Sequence, residues 1–152
     1  MKLLDVLTHE TIITDLQARD KMAALEELVA PLARQKNLPK EELMRVLLER
    51  ERLGSTGIGD GIAIPHGKLE TLPHLALAFG KSRRGVSFDS LDNKPVHLFF
   101  VILTPLTETG LHLQVLARIS RLLRNASLKE ELRKAASPER VCELLSPMDE
   151  DF

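Results

Sequence analysis

His66 stands in the run Ala63-Ile64-Pro65-His66-Gly67, a setting that can make a nucleophile of an imidazole. Pro65 fixes its own φ and biases Ala63 and Ile64 towards extended backbone, while Gly67 frees the chain directly after the histidine. An imidazole held in such a constriction, at a strand end, has little side-chain entropy left to lose. Its neutral ring nitrogen can accept a phosphoryl or acyl group near neutral pH. A surface or capping histidine is the plain alternative. His112 is a second candidate, because a helix starting near Thr109 or Gly110 puts it in the first turn and on the apolar face. Unpaired N–H groups and the positive end of the helix dipole favour an anion there. A core-facing histidine satisfied by a backbone carbonyl is the competing reading.

Arg50 lies seven residues beyond Leu43 on the inner stripe Leu43, Val46, Leu47, which puts it at the inward, C-terminal end of a helix. An arginine so placed needs an acidic partner or an incoming anion, since burying it unpaired is costly. Glu51, Asp60 and Glu108 are the candidate partners of a structural salt bridge. The adjoining Ser55 and Thr56 hydroxyls, with loop N–H groups, are candidates to solvate phosphate oxygens. The loop Ser55–Gly61 (STGIGDG) is not an ATP-binding P-loop: no Lys-Ser/Thr pair follows, and a helix precedes it where a strand should.

The elements that must position these residues alternate between helix and strand. Thr11–Thr14 is a short β-branched run. Asp20 offers an N-cap to a helix carrying Met22, Leu25, Leu28, Val29 and Leu32, with Pro31 expected to kink it. A second helix begins at Asn37–Pro39, with Pro39 near its first position, and Gly54 stops it. Ile62–Ile64, Leu75–Gly80 and Val96–Leu103 read as strands, and Thr104–Gly110 as a loop. A helix runs from about Leu111 to Arg124, Ser127 with Glu130 makes a capping box for the next, and Ser137-Pro138 starts a last one. The fold class is α/β, a single domain with a mixed β-sheet flanked by helices.

Composition narrows the function. Twenty-one Lys and Arg against 22 Asp and Glu leave a net charge of −1, and the five aromatic residues are all Phe. Neither a global field nor a stacking platform recruits nucleic acid. The longest apolar runs, Leu98–Leu103 and Leu28–Ala33, fall far short of the roughly 20 residues of a membrane span. Asp5 and His9 interrupt the N-terminal apolar stretch before a secretory signal forms, and Cys142 is the lone cysteine, so a reducing, cytoplasmic setting and a packed thiol are expected. His9, His74 and His97 share no metal-ligand spacing with His66, and no metal site is expected. Arg118, Arg121 and Arg124 form a basic ridge, either a solvated face or a dock for an acidic partner.

From Leu48 to Leu69 the chain reads LERERLGSTGIGDGIAIPHGKL. This run resembles the enzyme IIA domains of the fructose and mannitol class of the bacterial phosphoenolpyruvate-dependent phosphotransferase system. Its STGIGDGIAIPHGKL portion looks most like the nitrogen-regulatory enzyme IIA branch. The resemblance extends over essentially the whole chain, through VHLFFVIL and HLQVLARISRLL.

It implies an enzyme IIA domain over residues 1–147, followed by an acidic tail, 148–152, expected to fray. It also implies a phosphorylated histidine at His66, a second active-site histidine at His112 and an active-site arginine at Arg50. A histidine-containing phosphocarrier protein would be the phosphoryl donor, with no cofactor. The onward partner would be a regulated target protein or an enzyme IIB. With no fused transporter segment after the domain, a free-standing regulator is expected, and a subunit of a fructose or mannitol transporter is the alternative. Two other classes compete: a partner-binding module without transfer, and a metal-dependent hydrolase using His66 and His112 as ligands.

Overall fold

The computed structural model describes every residue from Met1 to Phe152. Six strands form one mixed sheet: β1 (Ile12–Ile13), β2 (Gly57–Gly59), β3 (Ile62–Ala63), β4 (His66–Leu69), β5 (Ala76–Val86) and β6 (Val96–Pro105). Five helices cover it: α1 (Lys21–Lys36), α2 (Lys40–Arg52), α3 (Thr109–Leu123), α4 (Ala126–Lys134) and α5 (Pro138–Leu145). The strand order is β1-β5-β6-β3-β2, and β4 also pairs with β6. No helix is long and apolar enough to cross a membrane.

The apolar strand β6 is the axis of the sheet because both of its faces are buried. Its residues alternate between two cores: Phe99, Val101 and Leu103 face α1 and α2, whereas Leu98, Phe100 and Ile102 face α3, α4 and α5. Phe99 meets Phe88 edge-on at 5.4 Å on the first face, and Phe100 meets Phe79 at 5.2 Å on the second. Antiparallel β5 lies along one side of β6, and β3 and β4 follow one another in parallel along the other. Pro65 bridges β3 and β4 without breaking the ladder, since its carbonyl accepts the Ile102 N–H at 3.0 Å.

That register decides which way the site residues point. Ile62 and Ile64 belong to the α3 side and Ala63 to the α2 side. The two-residue period then sends His66 towards α3 and Gly67 towards α2. At Gly67 the absence of a side chain is required, because a Cβ there would overlap the Val46 Cγ1 methyl of α2. Val46 and Arg50 lie one helical turn apart, so the contact that seats α2 on β4 also brings Arg50 to the level of the histidine.

Several sequence expectations are corrected by local geometry. Thr104 is the penultimate residue of β6, not the start of a loop, and the loop after Ser55 contains a hairpin, β2–β3. Pro39 takes the N-cap position of α2. Asn125, not Ser127, caps α4 by accepting the Leu128 N–H at 3.0 Å. Asp20 does cap α1, which continues through Pro31 as one helix. The acidic tail is pinned: the Asp149 carboxylate accepts the N–H groups of Leu3 and Leu4 at 2.8 and 2.9 Å, and Phe152 lies 4.6 Å from the Arg118 guanidinium.

Gly67→Ala is expected to lower the unfolding free energy by about 1–3 kcal/mol, the usual range for an overpacked contact. In a Val46→Ala background the same substitution should cost much less, because the colliding methyl is gone. Urea unfolding of the four-member cycle checks this, and equal costs in both backgrounds would show that the contact does not set the spacing.

Candidate functional site

The imidazoles of His66, opening β4, and His112, in the first turn of α3, lie with their ring centroids 5.5 Å apart. Arg50, at the end of α2, joins them from the rim of the sheet: its Nε donates to His66 Nε2 at 3.3 Å and its Nη1 to the Gly54 carbonyl at 2.9 Å. Three segments read separately in the sequence therefore converge. No carboxylate pairs with Arg50. Glu51 is bound on the other side by Lys21 at 2.9 Å and by the Thr56 N–H and hydroxyl, while Asp60 and Glu108 make no ion pair with it. The remaining guanidinium N–H groups have no protein partner.

Hydrogen-bond economy assigns the protons. His66 Nδ1 lies 2.6 Å from the Ile64 carbonyl, which can only accept, so Nδ1 carries the proton. The lone pair of the neutral ring is then on Nε2, beneath Arg50. His112 Nδ1 lies 2.8 Å from the Thr104 hydroxyl, whose residue is 0% exposed. That hydroxyl has no other partner, so it donates to Nδ1 and leaves the proton of His112 on Nε2. One ring thus offers a nucleophilic nitrogen and the other an N–H donor.

Burial favours the neutral form of both rings. His112, 6% exposed, has its pKa pushed down to about 4, by burial first and then by the neighbouring His66 ring and the Lys68 ammonium. Burial also lowers the pKa of His66, helped by Arg50 and opposed by the Ile64 carbonyl and Glu51. A cation and open donors lie beside the pair. Lys68 Nζ reaches Thr109 Oγ1 at 3.3 Å, and no side chain caps the N-terminus of α3. Donors so arranged can hold the oxygens of an anion. The structure provides no group of three His, Cys, Asp or Glu side chains placed to hold a metal ion, and the third member at the histidine pair is a guanidinium.

Ser55 and Thr56 lie on the loop after Arg50, with both hydroxyls committed to the protein. Ser55 Oγ donates to the Phe88 carbonyl at 2.9 Å and accepts the Gly57 N–H at 3.0 Å, and Thr56 Oγ1 donates to Glu51. Their visible work is to hold the loop. Sequence reasoning missed Thr104, Lys68 and the Lys21–Glu51 pair. Thr104 carried one signal: a polar β-branched residue closing an apolar strand eight positions before His112.

A histidine whose pKa is lowered by folding leaves the native state with fewer protons than the unfolded chain at acid pH. Its contribution to stability is complete above the ordinary value of 6.5 and is lost as pH falls towards about 4. Urea unfolding should therefore weaken across that window, and His112→Asn should flatten the slope. An unchanged slope in the variant would remove His112 as its source.

The geometry agrees with what the chain is similar to. Residues 5–147 match the family model of the phosphoenolpyruvate-dependent sugar phosphotransferase system, EIIA 2. A nitrogen regulatory protein of Bradyrhizobium diazoefficiens is 37% identical over 146 residues, covering 96% of this chain and 95% of that one. A fructose-specific EIIABC component of Bacillus subtilis is 35% identical over 150 residues, covering 98% of this chain, which spans only 24% of that longer protein. The crystal structure of nitrogen regulatory protein IIA-Ntr from Neisseria meningitidis superposes with a TM-score of 0.88 at 36% identity, covering 93% of this chain and 97% of that one. The mannitol enzyme IIA of Escherichia coli, solved as a complex with phosphorylated enzyme IIB, gives 0.78 at 25% identity over 93% and 99% of the two chains. With the family match spanning all three site segments and the fold shared throughout, the chain belongs to the EIIA 2 family of the phosphoenolpyruvate-dependent sugar phosphotransferase system.

Proposed function

We propose that this chain is a phosphohistidine carrier that takes a phosphoryl group onto His66 Nε2 from a histidine-containing phosphocarrier protein. The observation that carries the reading is the pair of hydrogen bonds on His66, Nδ1–H to the Ile64 carbonyl and Nε2 beneath Arg50. In the transfer, the Nε2 lone pair forms the new P–N bond as the donor's P–N bond breaks, and that electron pair returns to the donor imidazole. No proton has to leave His66. Its Nδ1–H stays on the Ile64 carbonyl, so the product ring is positively charged and its phosphoryl group remains easy to pass on. Arg50 follows the charge from Nε2 to the phosphoryl oxygens, and His112 Nε2–H donates to another. Alignment and charge stabilisation are what such a step needs, with neither nucleotide nor metal.

Exposed leucines support a protein as the donor. Leu53 follows α2, Leu106 follows β6 and Leu113 follows His112, and they are 84%, 51% and 59% exposed. Apolar side chains on the three segments that carry the site suit docking against another protein surface. The nitrogen-regulatory role is the favoured branch, supported by the higher identity and closer superposition of the IIA-Ntr structure than of the mannitol enzyme IIA. A sugar-transport role is the second reading, favoured by the similarity to the fructose-specific component. Transfer from the charged chain to an enzyme IIB domain would support that second role.

Incubation with phosphoenolpyruvate, enzyme I and phosphocarrier should add one acid-labile phosphoryl group, read by intact mass and absent from folded His66→Ala. No adduct from a charged donor would overturn the carrier reading in favour of a binding module. Arg50→Gln and His112→Asn should each slow transfer by about 10²-fold or more, the scale of losing one preorganised donor. Leu113→Asp should instead raise the KM for the phosphocarrier severalfold and leave the maximal rate nearly unchanged; a lower rate with constant KM would place Leu113 outside the docking surface.

A further inference from the structure

Between β1 and α1 the chain runs beside β5 and is bonded to it at two points. Leu16 N–H donates to the Lys81 carbonyl, and Ser87 N–H donates to the Arg19 carbonyl, both at 2.9 Å. Only Gln17 and Ala18 lie between these points on one side, whereas the other side holds Ser82 to Val86. The Glu27 carboxylate draws the N–H groups of Gln17 and Ala18 away from the strand at 3.0–3.1 Å. The mismatch opens a hollow of about 270 Å³ whose polar lining includes Asp15, Gln17, Arg19, Ser82, Arg83 and Arg84.

The charge of this hollow is unbalanced. Arg19, Arg83 and Arg84 make none of the molecule's ion pairs, and Asp15 is the one carboxylate in the lining. The next residue along β5, Lys81, is buried, and its amine has only the Ala135 carbonyl, at 2.7 Å, for a partner. Buried Ser82 accepts the Gly85 N–H at 2.9 Å, and its own proton goes to no protein acceptor. Guanidinium forks and a spare hydroxyl around a polar hollow are the donors that oxyanions require.

We propose that this hollow binds a small polyanion carrying two adjacent phosphoryl or carboxyl groups. The site lies at the β1–β5 end of the sheet, whereas β4 and His66 lie on the far side of β6, so the bound anion does not compete with the histidine pair. The proposal goes beyond the carrier reading and stands whether or not His66 is phosphorylated.

Calorimetric titration at low ionic strength tests it, with pyrophosphate and citrate as separate probes and no phosphoryl donor present. The expected result is saturable one-to-one binding of at least one probe, weakened tenfold or more by Arg83→Gln/Arg84→Gln and again by Arg19→Gln. Binding should be unchanged by Arg50→Gln and by Arg121→Gln/Arg124→Gln, which alters exposed arginines at the C-terminal end of α3. Preference for pyrophosphate assigns a phosphoryl ligand and preference for citrate a carboxylate one. No saturable binding of either probe at millimolar concentration would overturn the proposal. So would loss of binding in Arg50→Gln, which moves the anion to the histidine pair. Equal weakening by the α3 double variant would also overturn it, by reducing the effect to general charge attraction.

Discussion

How closely α2 lies against β4 governs everything at the histidine pair. A strand turns successive side chains to opposite faces, so His66 and Gly67 do opposite jobs one residue apart. His66 enters the α3 side, where His112 waits, and Gly67 leaves the α2 side bare, where Val46 fills the space. One turn beyond Val46, Arg50 reaches around the free flank of β4 and touches the histidine from the opposite layer. The site therefore belongs to neither core. It is assembled at the rim, from a helix on each face and the strand between them.

Electrostatic separation is the second condition. Arg50 and Glu51 are neighbours in the chain and would be an obvious pair, yet the helix turns them about 100° apart. Glu51 points inward, where Lys21 of α1 and Thr56 satisfy it, and Lys21 rests in turn on the Phe88 ring at 4.8 Å. With its natural counter-ion neutralised elsewhere, the Arg50 guanidinium keeps its charge for the site. The structural salt bridge weighed for Arg50 does exist one residue later, and the site depends on its being there.

Much of this was legible in the sequence because it rests on local rules. Asp20 caps α1, the stripe ending in Arg50 follows helical spacing, and the alternation of helix and strand gives the α/β class. What escaped was whatever depends on a partner far along the chain. Asp149 reads as a solvated tail residue until Leu3 and Leu4, about 145 positions away, present their N–H groups to it. Ser127 and Glu130 have capping-box chemistry, but Asn125 occupies the turn first. Ser55 and Thr56 are oxygen donors by type, and only the fold reveals that Phe88 and Glu51 already hold them.

If His66 is the phosphoryl acceptor proposed above, its hydrogen bond from Arg50 would also confer chemical discrimination. A bare imidazole in a surface cleft would react with any good electrophile, acyl and alkyl donors included. Here the attacking nitrogen is latched by the same guanidinium that must be drawn off before it can react. An uncharged acyl or alkyl donor competes weakly or not at all for that N–H, whereas the anionic oxygens of an incoming phosphoryl group compete strongly. On the proposed carrier reading, the histidine would thus favour its reagent by negative charge, with the lock and its key sensor on one side chain.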